Sequence, residues 1–268
     1  MKVITKISVQ QNNKERYNIF INEAFAFSVD EAVLARFRLK KGMELEEEDV
    51  AEILHADEVR KGYKDSVYYL AKRMRTEKEI REFLRKKEYN DEVIDLVVQK
   101  LYVQHYLDDR DFAKAYVHTQ MKTTDKGPIV VAGELAQKGV DQSIVEQVLE
   151  LYGKEEQVNK AKKLIGKVFQ RNSNEAFLQK KQKAIQLLRR KGFSGEVISE
   201  ALADNIQKDE ENEKEALFYQ TEKAFRRYRS ESGNERFRKV QQYLYRKGFS
   251  MEDIQQAVEQ FKEKNDFI

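Results

Sequence analysis

Cysteine is absent from all 268 residues. That excludes disulfides, thiol catalysis and Cys-ligated zinc, and it fits a reducing cytosol. Proline is nearly absent: Pro128 is the only one, and glycine is modest at 11 residues. Long helices are therefore permitted almost everywhere. No run approaches 18 apolar residues, so no segment is expected to span a membrane. The opening MKVITKISVQ alternates and is not a signal peptide. The only histidines are His55, His105 and His118, and no HExxH or similar spacing joins them, so no metal is expected. Neither GxxxxGK[ST] nor a strand-linked GxGxxG occurs. Carboxylate pairs at i, i+4 abound, as chance alone supplies at this charge density. The chain reads as non-enzymatic.

What is present is charge: 36% of residues are charged and 40% are apolar. A high ratio of charged surface to core suits a long, thin, helical protein. Residues 1–29 differ from the rest, with alternation at Ile7 and Val9, at Tyr17, Ile19 and Ile21, and at Phe25, Phe27 and Val29. With a turn at Gln11–Lys14, this predicts a small antiparallel meander. A short helix, DEAVLARFRL, is expected to follow and to end at Lys41-Gly42. Residues 44–58 hold eight acids and no Lys or Arg, which reads as a solvated helix with carboxylates in its first turn, or else an acidic docking face.

From about Ser66 onward one pattern recurs four times. Its anchors are Leu84, Leu135, Leu188 and Leu244, spaced 51, 53 and 56 residues apart. Three residues after each stands Lys87, Lys138, Lys191 or Lys247. Four after stands Gly139, Gly192 or Gly248, with Glu88 breaking the rule. A helix ending at Lys-Gly places glycine in the left-handed cap and lysine at the negative end of the dipole. These glycines are structural caps, and Gly192→Ala should cost about 1 kcal/mol on that ground. Asn90, Asp141, Ser194 or Ser250 then starts another helix, whose stripe includes Ile94, Val145, Ile198 or Ile254. Thr76–Glu79 fits a capping box, and Gly127-Pro128 places proline in the first turn of its helix. Room remains upstream of each anchor for one more helix. The expected fold is mainly α, tandem three-helix repeats forming an elongated curved array behind the meander. The expected boundaries are 1–62 for the N-terminal domain, then repeats at 63–107, 108–153, 154–207 and 208–268. Asp204–Glu215 is expected to be a loop or helix start.

Charge is unevenly placed. Residues 72–87 carry eight Lys/Arg against three Glu, 177–193 carry six against none, and 221–247 carry nine against three. The second repeat is different, with five against seven acids over 109–152. The third helix of every repeat is acidic, so it would be repelled by a phosphate backbone. That argues against sequence-specific duplex reading by a helix-turn-helix. The basic middle helices read either as solvated faces or as a surface that tracks phosphates. Aromatics among the cations, as in AFRRYRSES and VQQYLYRKGF, read as core stripe or as base-stacking rings.

Several of these stretches resemble the RecX family of recombination regulators. The resemblance lies in Leu70-x-x-Arg73, a Leu-Arg-Lys-Lys helix end, the Tyr106–Ala113 segment YLDDRDFA, the Lys126–Leu135 segment, and the repeated Lys-Gly caps. It covers about residues 65–205, and the fourth repeat's RKGFS extends it. The strand-rich N-terminus and that fourth repeat are similar only to longer, Firmicute-like members. The resemblance implies a cytoplasmic protein that binds RecA recombinase, lodges along its filament on single-stranded DNA and lowers its activity, in DNA repair and the SOS response. It implies no catalytic residue and no cofactor, and the expected state is a monomer. The basic residues expected to approach DNA or recombinase are Arg73, Arg75, Arg81, Lys86 and Lys87 in repeat one. In repeat three they are Lys180, Lys181, Arg189, Arg190 and Lys191. In repeat four they are Arg226, Arg227, Arg229, Arg236, Arg238 and Lys247. The second repeat reads as scaffold or protein contact. A stand-alone DNA-binding protein and a helical adaptor that recognises another protein remain the alternatives.

Overall fold

The computed structural model describes residues 2–171, 173–203 and 208–264. The chain divides into two compact units, Met1–Ala115 with Leu135–Val145, and Tyr116–Glu134 with Glu146–Ile268.

In the first unit, the alternating N-terminal residues form β1 (Lys2–Val9), β2 (Arg16–Ile21) and β3 (Ala24–Asp30), an antiparallel meander. A two-residue strand that the sequence did not signal, β4 (Glu44–Leu45), pairs with β1 and completes the order β3-β2-β1-β4. Ile4, Ile19, Phe27 and Val29 pack with Val33, Leu39, Leu45 and Ile53. Phe25 and Val9 depart from the expected apolar face, at 60% and 49% exposed. A register shift at Ile19/Phe20 pairs Phe20 with Phe25, and a one-residue shift changes which face a side chain takes.

Helix α1 (Glu31–Arg36) is capped by Asp30 and stops six residues short of the expected Gly42. Arg38 turns left-handed there, and the Leu39 N–H bonds the Leu34 carbonyl, which carries Leu39 into the core. Gly42 instead serves the turn before β4, at φ +84. Helix α2 (Glu47–Leu70) then runs unbroken through residue 62. Its acidic first turn fits the positive end of the dipole. Asp57, counted with that solvated acidic run, is buried. It accepts from Arg16 at 2.8 Å and from the Asp30 N–H at 2.7 Å. Asp30 is paired with Arg60 at 3.1 Å and Lys64 at 2.6 Å. Burial works against the Asp30 carboxylate, but bonds from Lys64, the Ala32 N–H and Arg60 outweigh it and hold its pKa below the ordinary range. This network ties α2 to the sheet.

Repeat one continues with α3 (Glu77–Lys86) and α4 (Asp91–Val103), around Tyr63, Ile80, Leu84, Ile94, Val97, Val98 and Leu101. Repeat two comprises α5 (Asp109–Thr123), α6 (Pro128–Gln137) and α7 (Gln142–Leu149). In the second unit, α8 (Lys154–Arg171), α9 (Phe177–Lys191) and α10 (Gly195–Ala203) enclose a core with Leu164, Ala184, Leu188, Phe193 and Ile198. Helices α11 (Glu210–Arg227), α12 (Gly233–Arg246) and α13 (Met251–Lys264) enclose another with Phe225, Val240, Leu244, Phe249 and Ile254. Of the expected linker 204–215, Asp204–Gln207 lie outside the described residues, and Asp209 caps α11.

The Lys-Gly caps do more than stop helices. Gly139, Gly192 and Gly248 have φ of +84, +87 and +91, and Glu88 takes the same region at +65. In the first unit, the start of α3 rests on the cap of α6. Thr76 Oγ1 donates to the Lys138 carbonyl at 2.8 Å, and Lys78 donates to that of Gln137 at 2.9 Å. In the second unit, the start of α6 rests on the cap of α9. The Gly127 N–H donates to the Lys191 carbonyl at 2.7 Å and the Ile129 N–H to that of Gly192 at 3.1 Å. Likewise Leu178 of α9 lies against the cap of α12, where a Cβ on Gly248 would be 3.3 Å away. At the α6–α9 joint, carbonyls left over at one helix end thus meet N–H groups left over at another, while at the α3–α6 joint the donors are side chains.

Candidate nucleic-acid interface

Each middle helix buries its anchor leucine and turns the opposite side outward. Aligned on those anchors, the outward positions are Lys78, Glu82, Arg85 and Lys86 on α3, and Ile129, Gly133, Ala136 and Gln137 on α6. On α9 they are Gln182, Gln186, Arg189 and Arg190, and on α12 Arg238, Gln242, Tyr245 and Arg246. All sixteen are exposed. The faces of repeats one, three and four carry cations, and that of repeat two carries none.

The expected contact residues divide by what already holds them. Arg73 is bonded to Glu79 at 2.8 Å and to the Met74 carbonyl. Arg75 lies 4.1 Å over the Tyr69 ring, with its buried Nε unbonded. Arg81 bridges Glu77 at 2.7 Å and Asp95 at 2.6 Å. Burial opposes its charge, but those two carboxylates prevail and raise its pKa. Lys87 is paired with Asp65 at 2.8 Å. Lys180 is only 6% exposed, because it shares a helix face with Ala184 and Leu188, so it leaves the contact set as a correction. Lys191 is half-buried, with its carbonyl used in the joint.

In repeat four, Arg226 pairs with Glu222 at 2.6 Å. Arg227 and Lys247 lie 5.7 Å and 5.5 Å from the Tyr243 ring. Arg236 donates to the Phe225 carbonyl at 2.9 Å. Besides the buried Lys180 and the half-buried Lys191, six candidates have no carboxylate, hydrogen-bond or ring partner on their side chains among the described residues: the exposed Lys86, Arg189, Arg190, Arg229 and Arg238, and the half-exposed Lys181. They lie on or near α3, α9 and α12.

Sequence reasoning confined to middle helices missed Lys163, Lys167 and Arg171 on α8, which are exposed at i, i+4 and i+8. That spacing was the available signal. It also missed Arg246 and the role of the Tyr-Leu-Asp-Asp segment. Asp109 accepts from the Glu77 N–H at 2.8 Å and so caps α3. Burial raises the Asp109 pKa, and the Glu77, Asp108 and Glu79 carboxylates add to this against the bond from the Glu77 N–H. In the second unit, Glu213 accepts from the Phe177 N–H at 2.8 Å and caps α9 in the same way. No group of three or more His, Cys, Asp or Glu is placed to hold a metal among the described residues. No helix among them is long and apolar enough to cross a membrane.

Family models for RecX match most of the chain: the N-terminal domain of regulatory protein RecX at residues 2–46, the first three-helix domain at 63–101, and the second at 108–149. The third three-helix domain matches twice, at 155–202 and 211–258. The chain is 46% identical over 261 residues to "Regulatory protein RecX" of Bacillus velezensis, covering 97% of this chain and 99% of that one. It is 44% identical over 262 residues to the protein of that name from Bacillus subtilis, with the same coverage. Among solved structures, "Crystal structure of regulatory protein RecX" matches with a TM-score of 0.70 at 37% identity, over 76% of this chain and 100% of that one. A RecX structure from Lactobacillus salivarius matches at 0.55 and 36% identity, over 56% of this chain and 97% of that one. Four domain models in chain order and near-full-length relatives lead to one statement: the chain belongs to the RecX family of regulatory proteins.

Proposed function

We propose that this protein binds the RecA recombinase filament on single-stranded DNA and lowers its activity, as a cytoplasmic, non-enzymatic regulator of recombination and DNA repair. The observation that carries the reading is family membership over nearly the whole chain. The charge placement supports it: unpaired cations on the outward faces of α3, α9 and α12 suit a phosphate backbone or acidic recombinase surfaces. Lys86, Lys181, Arg189, Arg190, Arg229 and Arg238 are assigned the contact role. The cations already bound within the fold, Arg73, Arg75, Arg81, Lys87 and Arg236, are assigned to packing. The uncharged face of repeat two suits a scaffold or a protein contact.

Strand exchange and DNA-dependent ATP hydrolysis by purified recombinase, titrated with this protein, test the reading. Inhibition at or below one copy per recombinase protomer is expected. No effect at stoichiometric protein overturns it, and tight binding to bare DNA unaltered by recombinase makes the chain a stand-alone DNA-binding protein instead.

A further inference from the structure

The four outward faces differ in chemistry. On α3, Lys78 is bonded to the Gln137 carbonyl and Arg85 to Asp91 at 3.0 Å, with Glu82 between them. The α6 face is uncharged. The α9 face has Arg189 and Arg190 but no ring. Only the α12 face, with Arg238, Gln242, Tyr245 and Arg246, combines arginines and an aromatic. Tyr245 is 62% exposed. Its hydroxyl has no hydrogen-bond partner, and no ring or cation lies on it among the described residues. Tyr243, two residues earlier, is its opposite: 9% exposed, bonded to Gln220 at 3.2 Å, and flanked by Arg227 and Lys247.

The surrounding charge is also unspent. Glu231 and Glu235 both pair with Lys239, at 2.5 Å and 3.5 Å. Neither Arg238 nor Arg246 has a carboxylate partner among the described residues, and Arg246 Nε reaches only the Gln242 carbonyl at 3.3 Å. Arg238 and Tyr245 are two turns apart on one helix face, about 10 Å along the axis.

We propose that Tyr245 is a stacking platform for an unpaired base of single-stranded nucleic acid, with Arg238 and Arg246 on the phosphates beside it. An exposed ring between unpaired cations is what such binding uses, because every base offers a π-face and every nucleotide a negative charge. Duplex binds less well, since its bases are already stacked on one another. The inference deepens the DNA side of the proposed function but requires no recombinase.

The chain has no tryptophan, so Tyr245→Trp creates a single reporter in the full-length protein. Titration with an oligo(dT) strand is expected to quench it saturably, and a blunt duplex of the same length to quench it weakly. Tyr245→Ala should weaken oligo(dT) binding at least about fivefold, the low end of a base–aromatic stack, while Tyr245→Phe retains it. Arg238→Gln should lower the slope of log affinity against log salt by about 0.7, and Tyr245→Ala should leave that slope unchanged. Tyr219→Ala is the control: that ring is 45% exposed on α11, with Glu215 one turn before it, and its loss should not matter.

No oligo(dT) binding by the parent protein, binding without quenching, or unchanged affinity in Tyr245→Ala overturns the inference. Equal quenching by polyglutamate does so too, and identifies an acidic protein contact. Quenching together with an inert recombinase assay upholds the platform and sinks only the proposed function. Inhibition fully kept in Tyr245→Ala, with no quenching in Tyr245→Trp, sinks only the platform.

Discussion

Gly192 stands at φ +87, where a Cβ would meet the Val130 backbone nitrogen at 2.6 Å. Moving Val130 away would disturb the Gly127 and Ile129 N–H bonds of the same joint. Two penalties therefore add: the left-handed backbone costs about 1–2 kcal/mol and the overpacking about 1–3 kcal/mol. Gly192→Ala is expected to lose about 2–5 kcal/mol in chemical denaturation, more than the roughly 1 kcal/mol that the cap alone implies. Glu88 takes the same cap conformation at φ +65, is exposed, and among the described residues receives no helix start like those on the other three caps. Glu88→Gly should then change stability by less than about 1 kcal/mol, since relief of the left-handed backbone offsets the added freedom of the unfolded chain. Equal effects at the two positions would remove the joint from the explanation.

An element-scale rule follows from the first residue of the middle helix in each of the first three repeats. Glu77 of α3 and Phe177 of α9 each have an N–H to satisfy, and each gives it to an acid on the next repeat's first helix, Asp109 or Glu213. Pro128, at the same place in α6, has no N–H and needs no acid. The acid at Asp109 serves as an acceptor, while its charge is unwelcome beside Glu77, Asp108 and Glu79. Asp109→Ala should destabilise by about 1 kcal/mol, the usual worth of a lost helix cap. Asp109→Asn keeps an acceptor and removes the repulsion, so thermal unfolding at neutral pH should find it as stable as the parent or more so. A large loss in Asp109→Asn would mean that the charge itself is needed. The family-like Asp-Asp segment was visible in the sequence, but its use as a cap was not, because Glu77 and Asp109 lie 32 residues apart.

For the whole molecule, a net charge of +3 conveys little, and the division of cations into bound and free conveys more. Arg189→Glu with Arg190→Glu, both exposed, should weaken filament or single-strand binding steeply at low salt and leave the melting temperature near the parent's. Arg81→Gln, which breaks bonds to Glu77 and Asp95, should lower stability by about 1 kcal/mol and leave binding nearly intact. Binding assays and melts on the two variants check this, and the opposite pattern would reverse the assignment of roles.

The sequence by itself determined the meander, four three-helix repeats and the cap positions, although it separated the acidic run from the first helix of repeat one where α2 is continuous. Those follow from local rules: alternation, helical periodicity, and glycine's freedom at positive φ. Only the tertiary structure decided that Asp57 and Lys180 are buried, that α1 ends at Arg36, that the caps are joints between helices, and that Tyr245 faces outward while Tyr243 does not. Each of these depends on partners distant in the chain, and a residue's type does not reveal which partner reaches it. A lysine in a basic run looks alike whether it is solvated, paired or packed, and contacts between helices separate those cases.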